Sequence, residues 1–265
     1  MIDGAPFVVE QGAAGDHRFV HGAAPDTGGA PVAQTLAVHH LSADRSVLRC
    51  APSNQADPSW WRVVLDSVLF TIALLHGYEA LHAGAIAVPG GAVAITADTG
   101  GGKSTLLAEL VGRGSALVAD DVLALEPRDG ESPLAHPGPP LMTVPAVSLP
   151  ALGAAEPTEA ISSIDDERWI AIPAYPRSLP LKALVVLDRR PNAQLASTQP
   201  SLTKIEGPLV ALLSALMRFP PAAERQRARF ELASTIASTV GLWRFTAPLQ
   251  TPASALADML LAANL

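Results

Sequence analysis

Apolar and polar residues follow two different spacings near the amino terminus of this 265-residue chain. Residues 1–56 contain short apolar runs separated by Gly, Pro, Asp and Asn, a pattern that predicts small β-strands joined by turns. From Trp60 to His76 the apolar residues recur at helical spacing, after an Asp-Pro pair at 57–58 that is typical of a helix start. We therefore expect residues 1–78 to form a β-rich N-terminal region with a linking helix.

The rest of the chain, residues 79–265, has the pattern of an α/β domain. Two apolar runs, 83–88 and 92–96, predict a β-hairpin that leads into a glycine-rich segment and then into a helix over 105–111. Helical spacing returns at three later segments, 209–217, 224–240 and 253–263, and residues 242–245 predict a short strand between the last two. We expect a core of strands and helices with C-terminal helices.

Prolines are concentrated between residues 126 and 180, where eleven of the chain's 24 occur. Because proline removes a backbone N–H and blocks the helical turn before it, long helices are excluded from most of this segment. It would form either one wall of a ligand site or a surface loop.

Residues 97–104, Ala-Asp-Thr-Gly-Gly-Gly-Lys-Ser, match the phosphate-loop pattern G-x-x-x-x-G-K-[ST] except that Ala97 replaces the first glycine. A glycine-rich loop between a strand and a helix directs successive backbone N–H groups and the positive helix end at phosphate oxygens. Lys103 would reach the β- and γ-phosphates, and the Ser104 hydroxyl would coordinate Mg²⁺. The residues expected to bind the nucleotide are Asp98, Thr99, Gly100, Gly101, Gly102, Lys103, Ser104 and Thr105.

A predicted strand over residues 115–119 ends in Asp120 and Asp121. In a right-handed strand–helix–strand crossover, the carboxyl end of this strand lies on the same sheet edge as the glycine-rich loop. One carboxylate there can hold Mg²⁺ and the other can accept a proton from an attacking hydroxyl. A competing candidate for the metal carboxylate is Asp188, which follows the apolar run 184–187, although Arg-Arg-Pro at 189–191 predicts that this strand leaves the sheet.

His82 precedes the predicted hairpin. If Val88 pairs with Ala92 across the turn, His82 lies opposite Asp98 at the mouth of the loop. A slip of one residue in this register would still leave His82 close to the phosphates. It would either assist proton transfer and hydrogen-bond a carboxylate, or serve only as a structural hydrogen-bonding residue.

The net charge of −7 disfavours nucleic acid as a partner, because no strongly basic field is available to attract phosphate backbones. The only cysteine, Cys50, excludes an internal disulfide and a multi-cysteine zinc site. The chain has neither a signal-like N-terminus nor an apolar run of the roughly 20 residues that a membrane span requires. We expect a cytoplasmic protein that binds no membrane; its oligomeric state stays open, a homo-oligomer included.

Three motifs together, His82-Ala83-Gly84, the loop 97–104 and Val118-Ala119-Asp120-Asp121, make the chain resemble the HPr kinase/phosphorylase family over about residues 81–125. The resemblance implies a P-loop core related to phosphoenolpyruvate carboxykinase and an ATP- and Mg²⁺-dependent serine kinase. It further implies that Asp120 accepts the serine proton, that Asp121 lies on the metal side with Ser104, and that His82 and Lys103 complete the catalytic set. The assignment of the two aspartates to these roles could be reversed.

The chain departs from that family after the Ala-Asp-Asp strand, where the family's glycine-rich signature has no clear match. Pro-Gly-Pro-Pro-Leu at 137–141 instead resembles smaller kinase relatives encoded with peptide biosynthesis genes, some of which phosphorylate the C-terminal serine of a lasso-peptide precursor. The expected partner is therefore a small protein or peptide with an acceptor serine. The alternatives are an HPr-type kinase/phosphorylase and a P-loop ATPase or regulatory nucleotide-binding protein without transfer. A GTPase is disfavoured, since Thr203-Lys204-Ile205-Glu206 only approximates the guanine-binding pattern.

Overall fold

A computed structural model describes residues 7–22, 35–54, 60, 62, 64–152, 160–164, 166–191, 198–205 and 223–265. The chain divides into two compact units, Met1–His76 and Gly77–Leu265. The predicted division at residues 78 and 79 falls close to this boundary. Strands and helices are mixed along the chain, as expected for the α/β class.

The first unit contains a four-stranded antiparallel sheet with the strands in chain order. Its strands are β1 (Phe7–Gln11), β2 (His17–Gly22), β3 (Thr35–Leu41) and β4 (Leu48–Pro52). A π-helical segment, Val64–Val68, continues into helix α1 (Leu69–Leu75). Phe19, Leu41 and Val68 are buried together, so the sheet and the helical segment share one apolar core. Strands and a helix are present in this region, as the sequence pattern predicted, and the helix start expected at 57–58 lies outside the described residues.

The second unit contains a nine-stranded sheet and a separate three-stranded sheet. The strands of the large sheet are β5 (Glu79–His82), β6 (Gly84–Val88), β7 (Gly91–Ala97), β8 (Leu117–Ala119), β9 (Val122–Glu126), β10 (Leu134–Ala135), β14 (Leu179–Arg190), β15 (Ser201–Lys204) and β16 (Gly241–Pro248). Their order is β5-β9-β10-β14-β7-β6-β8, with β16 paired to β14 and β15 paired to β16. The small sheet has the order β11 (Leu141–Pro145), β13 (Glu167–Ala171) and β12 (Ala160–Ile164).

Strands β7, β14 and β16 lie side by side and run parallel. Strand β8 runs in the same direction as β7, since each pairs antiparallel with β6 between them. The carboxyl ends of all four strands therefore lie at one edge of the sheet, which is the edge where α/β folds place their ligand sites.

Helices pack on both faces of the large sheet. They are α2 (Lys103–Gly112), α3 (Ala223–Thr239) and α4 (Ala253–Ala262). Because neighbouring strand residues point to opposite faces, Val93 and Ile95 pack with α2 and α4, whereas Ala92 and Ala94 pack with α3. The helices predicted over 224–240 and 253–263 are confirmed, and the one over 209–217 lies outside the described residues. None of the described helices has both the length and the apolar character needed to cross a lipid bilayer.

Two local predictions need correction. The hairpin pairs Val88 with Gly91, one residue away from the predicted partner Ala92, which leaves a tighter turn. Strand β14 does not leave the sheet at Arg189, because its pairing with β16 continues to Arg190 opposite Pro248.

The proline-rich segment contains no long helix among its described residues, as predicted. It forms the short strand β10, the three-stranded sheet and a 3₁₀-helix, Ala146–Leu152. Strands were not predicted there, since a proline inside an apolar run argues against a central strand.

Candidate phosphate-binding and catalytic site

Residues 98–102, which we call the glycine loop, connect β7 to helix α2 in a conformation that requires glycine. Gly100 and Gly102 have φ angles of 75° and 91°, in the region that side chains other than glycine rarely adopt. The carbonyl oxygen of Asp98 accepts a hydrogen bond from the Gly101 N–H. A Cβ atom on Gly101 would lie only 2.8 Å from this same oxygen. The run of three glycines therefore follows from the tight turn that ends at the start of α2.

Lys103, the first residue of α2, lies against the two aspartates that were predicted to face it. Its side chain is 8% exposed, and its ammonium forms an ion pair with Asp121. The Lys103 Nζ atom is also 3.6 Å from Oδ1 of Asp120. Three residues that the sequence singled out separately are thus brought together by the crossover from β7 through α2 to β8.

Asp121 has a left-handed backbone conformation, with φ of 59°. Successive residues of a strand point to opposite faces, so two adjacent aspartates in an uninterrupted strand could not both contact Lys103. The left-handed residue breaks that alternation between β8 and β9. Aspartate tolerates this conformation better than most residues, and such conformations are concentrated at functional sites.

Asp120 is the more buried of the two aspartates, Asp120 and Asp121, and its side chain is 5% exposed. Its Oδ2 accepts a hydrogen bond from the backbone N–H of Thr143 at 2.7 Å. Its Oδ1 is buried and has no hydrogen-bond partner among the described residues. Burial, helped by the neighbouring charge of Asp121, raises the pKa of Asp120 to about 7, although Lys103 and the Thr143 N–H act in the opposite direction. A carboxylate whose pKa lies near neutrality is suited to accept a proton.

Thr143 was missed by the sequence analysis. It lies on β11, in the proline-rich segment, and the chain approaches β8 there: a Cβ atom on Gly138 would lie 3.1 Å from the Cβ of Ala119. The proline-rich segment thus lies beside Asp120, and its role as one wall of a ligand site stays a prediction. A backbone donor carries no sequence signal, so Thr143 could not have been identified from its residue type.

The raised pKa of Asp120 predicts a pH-dependent cost to folding. The folded carboxyl binds its proton more tightly than the unfolded one, whose pKa is the ordinary 3.8. Stability from this group is therefore present below about pH 4 and is lost as the pH rises through about 7. Relative to the wild type, Asp120→Asn should gain on the order of a few kcal/mol of unfolding free energy between pH 5 and pH 8.

Urea unfolding of the nucleotide-free proteins at pH 5, 6.5 and 8 would measure this difference. Titrating groups outside the cluster affect both proteins alike, so the comparison isolates Asp120 together with its charged neighbours Asp121 and Lys103. A constant difference between the two proteins across this range would contradict the raised pKa.

His82 does not lie opposite Asp98 as predicted. It is the last residue of β5, where it pairs with Val122, and its carbonyl oxygen accepts a hydrogen bond from Thr96 Oγ1 at 2.9 Å. Burial and the charge of Lys103 lower the pKa of the ring, while Asp121 raises it. His82 therefore lies near the pair formed by Lys103 and Asp121. Its lowered pKa favours the neutral form of the imidazole ring.

The remaining candidates lie around this cluster. Ser104 is the second residue of α2, whereas the Thr105 hydroxyl accepts a hydrogen bond from Ser148 at 3.2 Å and so faces the 3₁₀-helix. Asp188 is held by two hydrogen bonds from Arg190, at 2.7 and 2.8 Å. Because Arg190 takes both of its oxygens, Asp188 is a weaker metal candidate than Asp121.

The oxygen atoms at the site suit Mg²⁺ bound together with a nucleotide. Among the described residues no group of three or more His, Cys, Asp or Glu side chains could enclose a metal ion. Mg²⁺ is usually held by one or two carboxylates together with substrate phosphates and water, rather than by an all-protein cage. The carboxylate of Asp121 and the hydroxyl of Ser104, the second residue of α2, are donors of that kind.

Comparisons with known proteins add little to this geometry. No protein-family profile matches the chain. No curated protein matches it. One solved structure to which it is similar is that of the Hpr(Ser) kinase/phosphatase from Coxiella burnetii, with 16% sequence identity and a TM-score of 0.37 over 70% of this chain and 95% of that chain. Similarity at this level is too low to transfer an activity.

Proposed function

We propose that this protein is an ATP- and Mg²⁺-dependent kinase that transfers the γ-phosphate to a serine hydroxyl of a small protein or peptide. The observation that carries the proposal is the buried cluster of Lys103, Asp120 and Asp121 next to the glycine loop. A loop that presents backbone N–H groups, a lysine at the start of its helix and a carboxylate with a pKa near 7 are the parts that phosphoryl transfer requires.

Each residue of the cluster has a distinct task in this reaction. The Lys103 ammonium neutralises phosphate charge, and the glycine-loop amides orient the phosphates. Asp120 accepts the proton of the serine hydroxyl as that oxygen attacks the γ-phosphorus, while the bond from this phosphorus to the β–γ bridging oxygen breaks and ADP leaves. Asp121 and Ser104 would hold the metal. Bound Mg²⁺ would supply charge neutralisation of the β- and γ-phosphates.

The acceptor is proposed from the proline-rich wall beside Asp120. Residues 137–141 resemble the corresponding segment of small kinases of peptide biosynthesis, and Gly138 packs directly on Ala119, one residue before Asp120. A peptide acceptor lying along this wall would have its hydroxyl close to the base. We therefore propose that the acceptor is a serine of a small peptide, and specifically the C-terminal serine of a lasso-peptide precursor.

The test is mass spectrometry of candidate peptides and small proteins, encoded beside the gene, after incubation with ATP and Mg²⁺. A phosphoserine product is expected from the wild type. ADP formation without a phosphorylated acceptor would instead favour an ATPase or a regulatory nucleotide-binding protein. Removal of the phosphate from the phosphoserine product by inorganic phosphate would favour an HPr-type kinase/phosphorylase.

Lys103→Met should lower the rate of transfer at least about 10²-fold, because an ammonium that makes charge-assisted bonds to the phosphates is lost. Lys182→Met is the matched control, since Lys182 is an exposed lysine on β14 at the opposite end of the strand from the site. It removes the same charge and should leave the rate unchanged. Equal rates of transfer in Lys103→Met and in the wild type would show that the glycine loop takes no part in the proposed reaction.

A further inference from the structure

Arg189 lies beside the glycine loop although nothing in its sequence context pointed to a ligand. The last residue pair between β14 and β7 is Leu187 with Ala97, and Arg189 follows two residues later. A Cβ atom on Gly102 would lie 2.9 Å from Arg189 Nη1 and 3.5 Å from its Cδ. The guanidinium group therefore lies against the residue that directly precedes Lys103.

Backbone oxygens hold one side of this guanidinium group and leave the other side unused. Its Nη2 donates hydrogen bonds to the carbonyl oxygens of Leu249 and, at 2.7 Å, Thr251, which lie between β16 and α4. Its Nε is buried and has no hydrogen-bond partner among the described residues. The fold therefore orients the side chain, and Nη1, which lies against Gly102, is its donor on the side of the glycine loop.

No carboxylate in the described part of the chain neutralises Arg189. Asp188, its neighbour in sequence, is bound by Arg190 instead. Burial lowers the pKa of Arg189, and no acidic group opposes this. A half-buried cation without a counter-charge is unfavourable, and an anionic ligand would remove that cost.

The pairing of Lys103 gives a second reason for an additional cation. Its ammonium forms an ion pair with Asp121 and lies 3.6 Å from Oδ1 of Asp120, so it is shared with two carboxylates. Arg189 adds a positive charge beside the same loop. Arginine is also suited to phosphate, because its planar fork can donate two parallel hydrogen bonds.

We propose that Arg189 is a second cation of the nucleotide site, which donates hydrogen bonds to a phosphate oxygen of the bound nucleoside triphosphate. This role rests on the proposed function, since it requires that the glycine loop binds a nucleoside triphosphate. Arg189 would add to Lys103 in neutralising the phosphates, and the carbonyl oxygens of Leu249 and Thr251 would fix its orientation before the nucleotide arrives.

Calorimetric titration of the full-length protein with ATP and with inorganic triphosphate tests this role. Arg189→Met should weaken the binding of both ligands about 10- to 100-fold, the effect expected when a charge-assisted hydrogen bond is lost. Arg189→Lys keeps the charge and should recover most of the affinity. Lys182→Met, which removes a charge from the same strand far from the loop, should bind both ligands like the wild type.

Thermal unfolding of the nucleotide-free variants separates ligand binding from a purely structural role. If Arg189 only braces the loop at residues 249–251, Met and Lys variants would lose Tm and ATP affinity together, and the inference is wrong. Wild-type affinity in Arg189→Met would also overturn it while leaving the proposed function intact. If the wild type itself binds neither ATP nor triphosphate, the proposed function fails, and the role of Arg189 fails with it.

Discussion

Asp120→Asn is expected to lower the rate of phosphoryl transfer by about 10²- to 10⁴-fold, the usual contribution of a positioned general base. The amide has the shape of the carboxylate, and its oxygen can still accept the hydrogen bond from the Thr143 N–H. The loss would therefore come from the missing proton acceptor and not from a displaced side chain. Single-turnover kinetics with saturating ATP would measure the transfer step directly.

The affinity for ATP should change little in Asp120→Asn, because the glycine loop and Lys103 are retained. Asp188→Asn provides the matched comparison, since Asp188 was the competing candidate and is bound by Arg190 in the structure. It should retain the rate to within a few-fold. A large loss in Asp188→Asn together with a small loss in Asp120→Asn would show that Asp188, and not Asp120, is the carboxylate that the reaction requires.

Gly112→Ala is expected to lower the unfolding free energy of the second unit by about 3 kcal/mol or more, at the upper end for overpacking of a core. The added Cβ would overlap the carbonyl oxygen of Ala151 and lie 2.9 Å from its carbonyl carbon and 3.1 Å from Cα of Leu152. These are backbone atoms of the 3₁₀-helix, so no side chain can rotate to relieve the overlap. For a unit of this size the change corresponds to a fall in Tm of roughly 6–12 °C.

Gly114→Ala separates this contact from the general effect of replacing a glycine near the end of α2. Gly114 has a φ angle of 92°, and a Cβ there would meet no atom within 4 Å. Its replacement should cost only the backbone strain, about 1–2 kcal/mol. Calorimetric unfolding of both variants would measure the two costs. A smaller loss in Gly112→Ala than in Gly114→Ala would show that the 3₁₀-helix can move away from α2.

The sequence by itself determined many of the elements and the residues at the centre of the site. Short apolar runs between turn residues predicted the strands of the four-stranded sheet, and three- and four-residue spacing predicted α3 and α4, because these patterns depend only on neighbours along the chain. The convergence of Lys103 with Asp120 and Asp121 was also predictable, since the handedness of the crossover brings the ends of β7 and β8 to one edge.

Only the tertiary structure decided which groups surround that centre. The Thr143 N–H on Asp120 and the Arg189 guanidinium beside Gly102 come from segments distant in sequence, through contacts that residue types do not specify. The position of His82 depended on a strand register, and a shift of one residue changes every partner along the strand. Periodicity along a chain specifies which face of an element is buried, whereas register and the packing of layers specify which distant residues meet there.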